Sequence, residues 1–381
     1  MKAQGFLKIK LPPGRTYGLD IMRSAAILLV VYAHGFIYAP DQLLYYYNLP
    51  VLDGVTLFFV LSGFLVGRIL ITTLEKQGAG LRTLGNFWKR RWLRTLPNYF
   101  FMLTLVSILA FIFPNFFPEF KAEELKYYYT FTQNLYTLHP DFFGEAWSLS
   151  VEEWFYILYP VLLFLVIGIF RVNTKWTILT IAITLIIAVM IFRYIRAMSP
   201  ILETQNWDQA FRKQVVTRLD SILFGVIGAW LLVYKKEVFY SFKKVLFVLG
   251  IILLFLPKFI PLHESYIYYT VFYMAVDSIA GLLLIPLLNS IRTGNGWVYR
   301  LVTLISIISY SMYLLHFTFV RKFVDLVKMN FFFLTGEING PVLRVCYYIL
   351  YWGLTILFAI VLYKLIEKPF MDLREKRKVS G

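Results

Sequence analysis

Sulfur, histidine and charge are all scarce in this chain. A single cysteine, Cys346, among 381 residues excludes an internal disulfide and any multi-thiolate metal site. Four histidines, His34, His139, His263 and His316, are scattered without ligand spacing, so no metal is expected. No glycine-rich phosphate cradle is present, and the glycines at 293–296 lack a nucleophile elbow, which argues against a nucleotide-driven enzyme and against a serine hydrolase. No internal repeat stands out, which weighs against a secondary carrier built from inverted halves. Charged residues make up only 16% of the chain, and no polar stretch is long enough to fold as a soluble domain.

What fills the chain instead is apolar. Hydrophobic residues account for 59%, mean hydropathy is +0.66, and apolar runs of roughly twenty residues recur, the length that spans a bilayer as helix. The expectation is an all-α integral membrane protein with ten transmembrane helices, at 19–39, 51–72, 96–116, 148–170, 176–194, 216–233, 245–260, 266–287, 301–320 and 342–366. A single membrane domain over 1–381 is expected, with a transmembrane core of about 17–370, a basic tail at 371–381 and no fused extracytoplasmic domain. Lysine and arginine gather in the tails and in alternate loops, above all between Lys76 and Arg94, so both termini are expected in the cytoplasm. The net charge of +16 is mostly this topological signature. Nucleic acid need not be invoked, while membrane lipids with anionic headgroups fit as partners. One loop dissents: Arg193, Arg196, Arg212 and Lys213 fall on the opposite side, so either a helix is miscounted around 193–215 or that face meets an anionic substrate.

Ionisable residues inside a membrane segment are functional by default. The first segment carries two, Arg23 and His34. Eleven residues on an α-helix is about 20° past three turns and ~16 Å of rise, so both leave one face at different depths. Under the topology above, Arg23 joins Arg68, Lys89, Arg90, Arg91 and Arg94 near the cytoplasmic rim. His34, His316, Glu152, Glu153, Arg218 and Asp220 fall in the outer half, and Asp277 near mid-bilayer. Guanidinium groups suit phosphates, and histidine or glutamate suits proton transfer. Such a layering suits vectorial group transfer from an anionic cytosolic donor. Glu153 reads more simply as an acid favouring a helix N-terminus, and Ser62-Gly63 as a close-packing spot between helices.

Six stretches, in order along some 350 residues, resemble the membrane-bound acyltransferase family 3, the bacterial integral-membrane O-acyltransferases of surface glycans. They are LDIMRSAAILLVVYAH, GVTLFFVLSGFLVGRIL, RRWLRTLP, AWSLSVEEWFYILYP, ISYSMYLLHF and LIEKPF. The resemblance implies an enzyme that moves an acyl group, usually acetyl, from cytosolic acetyl-CoA to a hydroxyl of an extracytoplasmic glycan, in a bacterial inner membrane. Arg23 and His34 match the family's paired motif, Arg91 and Arg94 its Arg-x-x-Arg, Glu152 the acid after Trp147-Ser148, and His316 the late histidine. Thr56 stands where many relatives carry an acid, and Met22 departs from the usual entry before the arginine.

On this reading Arg23, Arg68, Arg91 and Arg94 hold the phosphates of acyl-CoA. His34 is general base or transient acyl carrier, Glu152 orients it, and His316, Trp147 and Ser148 bind the acceptor. Two rivals use the same residues: a carrier or flippase for an anionic lipid-linked sugar, and an N-acyltransferase acting on an amino sugar.

Overall fold

The computed structural model describes residues 14–39, 53–199, 201, 206–256, 274–335 and 340–376. Ten principal helices run through them: α1 (Tyr17–Gly35), α2 (Gly54–Gln77), α3 (Leu81–Ile112), α4 (Ala146–Phe170), α5 (Thr174–Ala197), α6 (Leu219–Tyr234), α7 (Lys243–Phe255), α8 (Met274–Ser290), α9 (Gly296–Leu315) and α10 (Pro341–Leu362). α9 passes through a π-helical turn, His316–Val320, into Arg321–Thr335, and α10 passes through another, Tyr363–Glu367, into Lys368–Lys376. No strand occurs among the described residues. Seven helices are long and apolar enough to cross a membrane: α1 to α5, α9 and α10. α6 and α8 are shorter apolar helices of 16 and 17 residues, and α7 has 13. The chain is therefore an all-α, multi-pass membrane protein, and each of the ten expected segments overlaps a helix. The expected portions 51–52, 257–260 and 266–273 lie outside the described residues.

The largest shift is in α3, which begins at Leu81 rather than near residue 96. Its basic first half stays helical because Leu84, Phe87 and Arg91, at helical spacing, all face the bundle. Packing elsewhere relies on missing side chains. A Cβ on Gly63 of α2 would lie 1.8 Å from the Ile222 carbonyl oxygen of α6, and one on Gly225 2.0 Å from that of Val60, so the two backbones meet where only glycine fits.

Ion pairs join the helix ends. Asp53 caps α2 by accepting from the amides of Val55 (3.0 Å) and Thr56 (3.3 Å), and its carboxylate also takes Arg218 at 3.0 Å and Arg212 at 3.2 Å. Burial alone would raise the Asp53 carboxyl, but the two guanidinium groups outweigh it and hold it well below the usual range. The Thr56 hydroxyl donates to the same carboxylate at 2.7 Å. Arg193 donates to Asp220 at 2.6 Å and to the Thr217 carbonyl at 2.9 Å with no solvent exposure. Arg212 and Lys213 both hold Asp208, at 2.8 and 2.6 Å, and Arg196 lies over the rings of Tyr136 and Phe211. The cations that ran against the topology are thus matched by acids and aromatic faces of the same chain.

Candidate active site

Two cavities sit one above the other along the helices. The first, about 100 Å³, is lined by three arginines, Arg23 of α1 and Arg91 and Arg94 of α3, together with Glu152 and Tyr156 of α4 and Ser62 of α2. The second, about 380 Å³, is lined by His34 at the end of α1, Trp147 at the start of α4, His139 and Glu145 of the preceding loop, Arg212, and Phe317 and Arg321 beyond α9. Val55 and Tyr313 line both. At this divide the hydroxyls of Tyr313 and Ser148 lie 2.6 Å apart, and Tyr313 also donates to the Glu145 carbonyl at 3.2 Å. Eleven residues of α1, about 16 Å of rise, separate the arginine of one cavity from the histidine of the other.

The histidines meet. His34 Nδ1 is 2.8 Å from His316 Nε2, and His316 Nδ1 is 2.8 Å from the Tyr313 carbonyl oxygen. A carbonyl only accepts, so in a neutral pair His316 carries its proton on Nδ1 and leaves Nε2 bare. His34 must then donate from Nδ1, and its own Nε2 keeps a free lone pair. This tautomer assignment follows from the hydrogen-bond network. His34 Nε2 has no hydrogen-bond partner among the described residues, and His34 lines the larger cavity. In the π-helical turn that begins at His316, the Thr318 amide donates to the Glu145 carboxyl at 3.3 Å, with the Thr318 hydroxyl bonded to its other oxygen. Burial pushes the Glu145 carboxyl up to about 8 despite these bonds, so it stays protonated and uncharged near neutrality.

Several expected site residues fall together and others do not. Arg23, Arg91, Arg94, Glu152 and Ser148 share the arginine-lined cavity, while His34 and Trp147 share the histidine-lined one. Arg23 reaches Ser306 at 3.2 Å and Asp20 at 3.5 Å, and Arg91 lies over the Tyr156 ring. Arg94 makes no ion pair or hydrogen bond to another described residue, which leaves its guanidinium available in the cavity. Arg68 is exposed on the far part of α2 and lines neither cavity.

Glu152 does not orient His34. It accepts from the Tyr156 hydroxyl at 3.1 Å, which in turn sits 2.8 Å from the Ser62 hydroxyl, in the other chamber. The orienting partner is His316, fully buried and with both ring nitrogens occupied, so neither nitrogen is left for an acceptor. Glu153 ties α4 to α3, accepting from Thr95 at 3.0 Å and Trp92 at 3.1 Å, rather than serving a helix terminus. Tyr313, Glu145 and His139 were not expected at the site. Tyr313 lies three residues before His316, on its face of the helix, a spacing that pointed to it.

Comparison with known proteins follows the same outline. A family model described as an acyltransferase domain matches residues 16–364. The O-acetyltransferase OatA of Staphylococcus aureus (strain NCTC 8325 / PS 47) is 26% identical over 373 residues, covering 92% of this chain and 56% of that protein. A putative O-acetyltransferase of Staphylococcus aureus (strain COL) is 27% identical over 411 residues, covering 97% of this chain and 59% of its own length. The chain thus spans somewhat more than half of these relatives. No solved structure matches. With the family model running from just before α1 to just past the end of α10, the chain belongs to the acyltransferase-domain family.

Proposed function

We propose that this protein is an O-acyltransferase of a bacterial inner membrane that takes an acetyl group from acetyl-CoA on the cytoplasmic side and places it on a hydroxyl of a glycan on the other side. The observation that carries the reading is the hydrogen-bonded chain from the Tyr313 carbonyl through His316 to His34, which leaves one basic nitrogen directed to the larger cavity. Both termini are cytoplasmic in this reading, so the arginine-lined cavity faces the donor.

Arg91 and Arg94 hold the donor's phosphates, with Arg23 deeper along the path. The thioester end reaches the divide at Tyr313 and Val55. His34 Nε2 then accepts the proton of the acceptor hydroxyl as its oxygen attacks the thioester carbonyl. A C–O bond forms, the C–S bond breaks, and the departing thiolate takes the proton back from the imidazolium. Acetyl ester and free CoA are the products, and a thioester donor needs no nucleotide hydrolysis to drive the step. The relatives that share this domain are named as O-acetyltransferases, which supports ester over amide formation.

The test is purified protein supplied with acetyl-CoA and a glycan extract of its host. Free thiol should appear together with an alkali-labile acetyl mass on the glycan, and His34→Ala should abolish both while the helical circular-dichroism signal is retained. Movement of sugar without thiol release would instead identify a carrier, and an alkali-stable product an N-acyltransferase.

A further inference from the structure

Among the described residues, four cations line the larger cavity, and three are already paired with acids. Arg212 and Lys213 are bound to Asp208, Arg212 also to Asp53, and Lys322 to Glu119 at 2.8 Å. Arg321 forms no ion pair with any described residue. Its guanidinium rests over the Phe317 ring at 5.2 Å from the centroid, and the His34 ring lies 4.7 Å from the same ring between centroids. The neighbouring carboxyl groups make other contacts or face solvent. Asp325 accepts from the Tyr38 hydroxyl at 2.7 Å, Glu145 is occupied by Thr318, and Asp141 is exposed. Half-buried and held against an aromatic face, Arg321 is a guanidinium fork without a carboxylate partner among the described residues.

We infer that Arg321 binds an anionic group, a carboxylate or a phosphate, on the acceptor glycan. The inference rests on the acceptor role proposed for this cavity and narrows it from any sugar hydroxyl to that of an acidic saccharide. The guanidinium and the imidazole both contact the Phe317 ring, so an anion bound at Arg321 sets which hydroxyl is presented to His34 Nε2. Trp147 offers an aromatic surface in the same cavity, with one face covered by Arg212 at 5.1 Å. A neutral glycan of the same shape fills the cavity but leaves the guanidinium without a counter-charge, and it loses the charge-assisted hydrogen bonds.

Binding is read directly, in detergent and without acetyl-CoA, so that this inference and the transfer reaction can fail separately. The probes are methyl β-glucuronide, glucose 6-phosphate and methyl β-glucoside, compared by calorimetry on the full-length protein. At least one anionic sugar should bind tenfold or more tightly than the glucoside, and the tighter of the two identifies the anion. Arg321→Gln should bring that ratio close to one. Arg321→Lys, which keeps the charge on an unbranched stem, should retain part of it and serves as the readout if the glutamine variant does not fold. Equal binding of charged and neutral sugars by the unaltered protein, no binding of either acid, or an undiminished ratio in Arg321→Gln would overturn the inference.

Discussion

Replacing His316 by phenylalanine keeps a ring of similar size in a fully buried position and removes both nitrogens of the hydrogen-bonded chain. The Nδ1–H of His34 then has no acceptor. Leaving a buried donor unpaired costs about 1–3 kcal/mol. The imidazole escapes this cost by moving its proton to Nε2, where it faces the cavity, and that tautomer has no lone pair for the acceptor hydroxyl. At about 1.4 kcal/mol per factor of ten, kcat should fall about 5- to 150-fold. The arginine-lined cavity is untouched, so KM for acetyl-CoA should hold. Thiol release followed over a range of acetyl-CoA concentrations at saturating acceptor measures both. Because His316 acts through His34, the double variant His34→Ala with His316→Phe should be no slower than His34→Ala alone. A His316→Phe enzyme within twofold of the unaltered one, or losses that multiply in the double variant, would refute the positioning role.

Three other substitutions probe separate parts of the structure. Arg94→Ala should raise KM for acetyl-CoA about 10- to 150-fold, the size of a lost hydrogen bond to a charged group, whereas Arg68→Ala, outside both cavities, should leave it unchanged; equal effects of the two would contradict the donor site. Glu145, at about 8 when folded against roughly 4.3 when unfolded, keeps a proton that the unfolded chain releases, so its contribution is full below the lower value and drains away as pH rises through the upper one. Thermal unfolding across pH 4 to 9 should accordingly show a decline that Glu145→Gln flattens, and an identical slope in both proteins would contradict it. Arg193→Met strands a buried carboxylate and should destabilise by about 3–5 kcal/mol, much of it recovered by adding Asp220→Leu; a stable single variant would show that the pair is not buried.

Much of this architecture is legible in the chain before folding is considered. Twenty-residue apolar runs marked the helices because a bilayer demands that length, and Arg23 and His34 stood out because lipid tolerates neither. Periodicity also sent both to one face of α1, with one residue in each cavity. Contact between distant helices was not legible. The spacing within GVTLFFVLSGF says nothing of Ile222, and the His34–His316 bond joins residues 282 apart in sequence. Glu152 drew attention as the acid of a motif, yet the turn of α4 aims it at Tyr156. The partner that matters to His34 was instead the second histidine, placed by a π-helical turn that hydrophobic periodicity does not register. The stray cations at 193–213 read as either a miscounted helix or a substrate face because a charge count cannot pair Arg193 with Asp220 or Arg212 with Asp53.

Donor and acceptor enter from opposite sides of the membrane in the proposed reaction. Protein reconstituted in one orientation in sealed vesicles, with acetyl-CoA confined to the compartment facing Arg94 and acceptor glycan to the compartment facing His34, should release thiol on the first side and gain acetyl ester on the second. Exchanging the two compartments should stop both. Ester formation that requires donor and acceptor in the same compartment, or that persists in His34→Ala, would contradict a single path joining the two cavities.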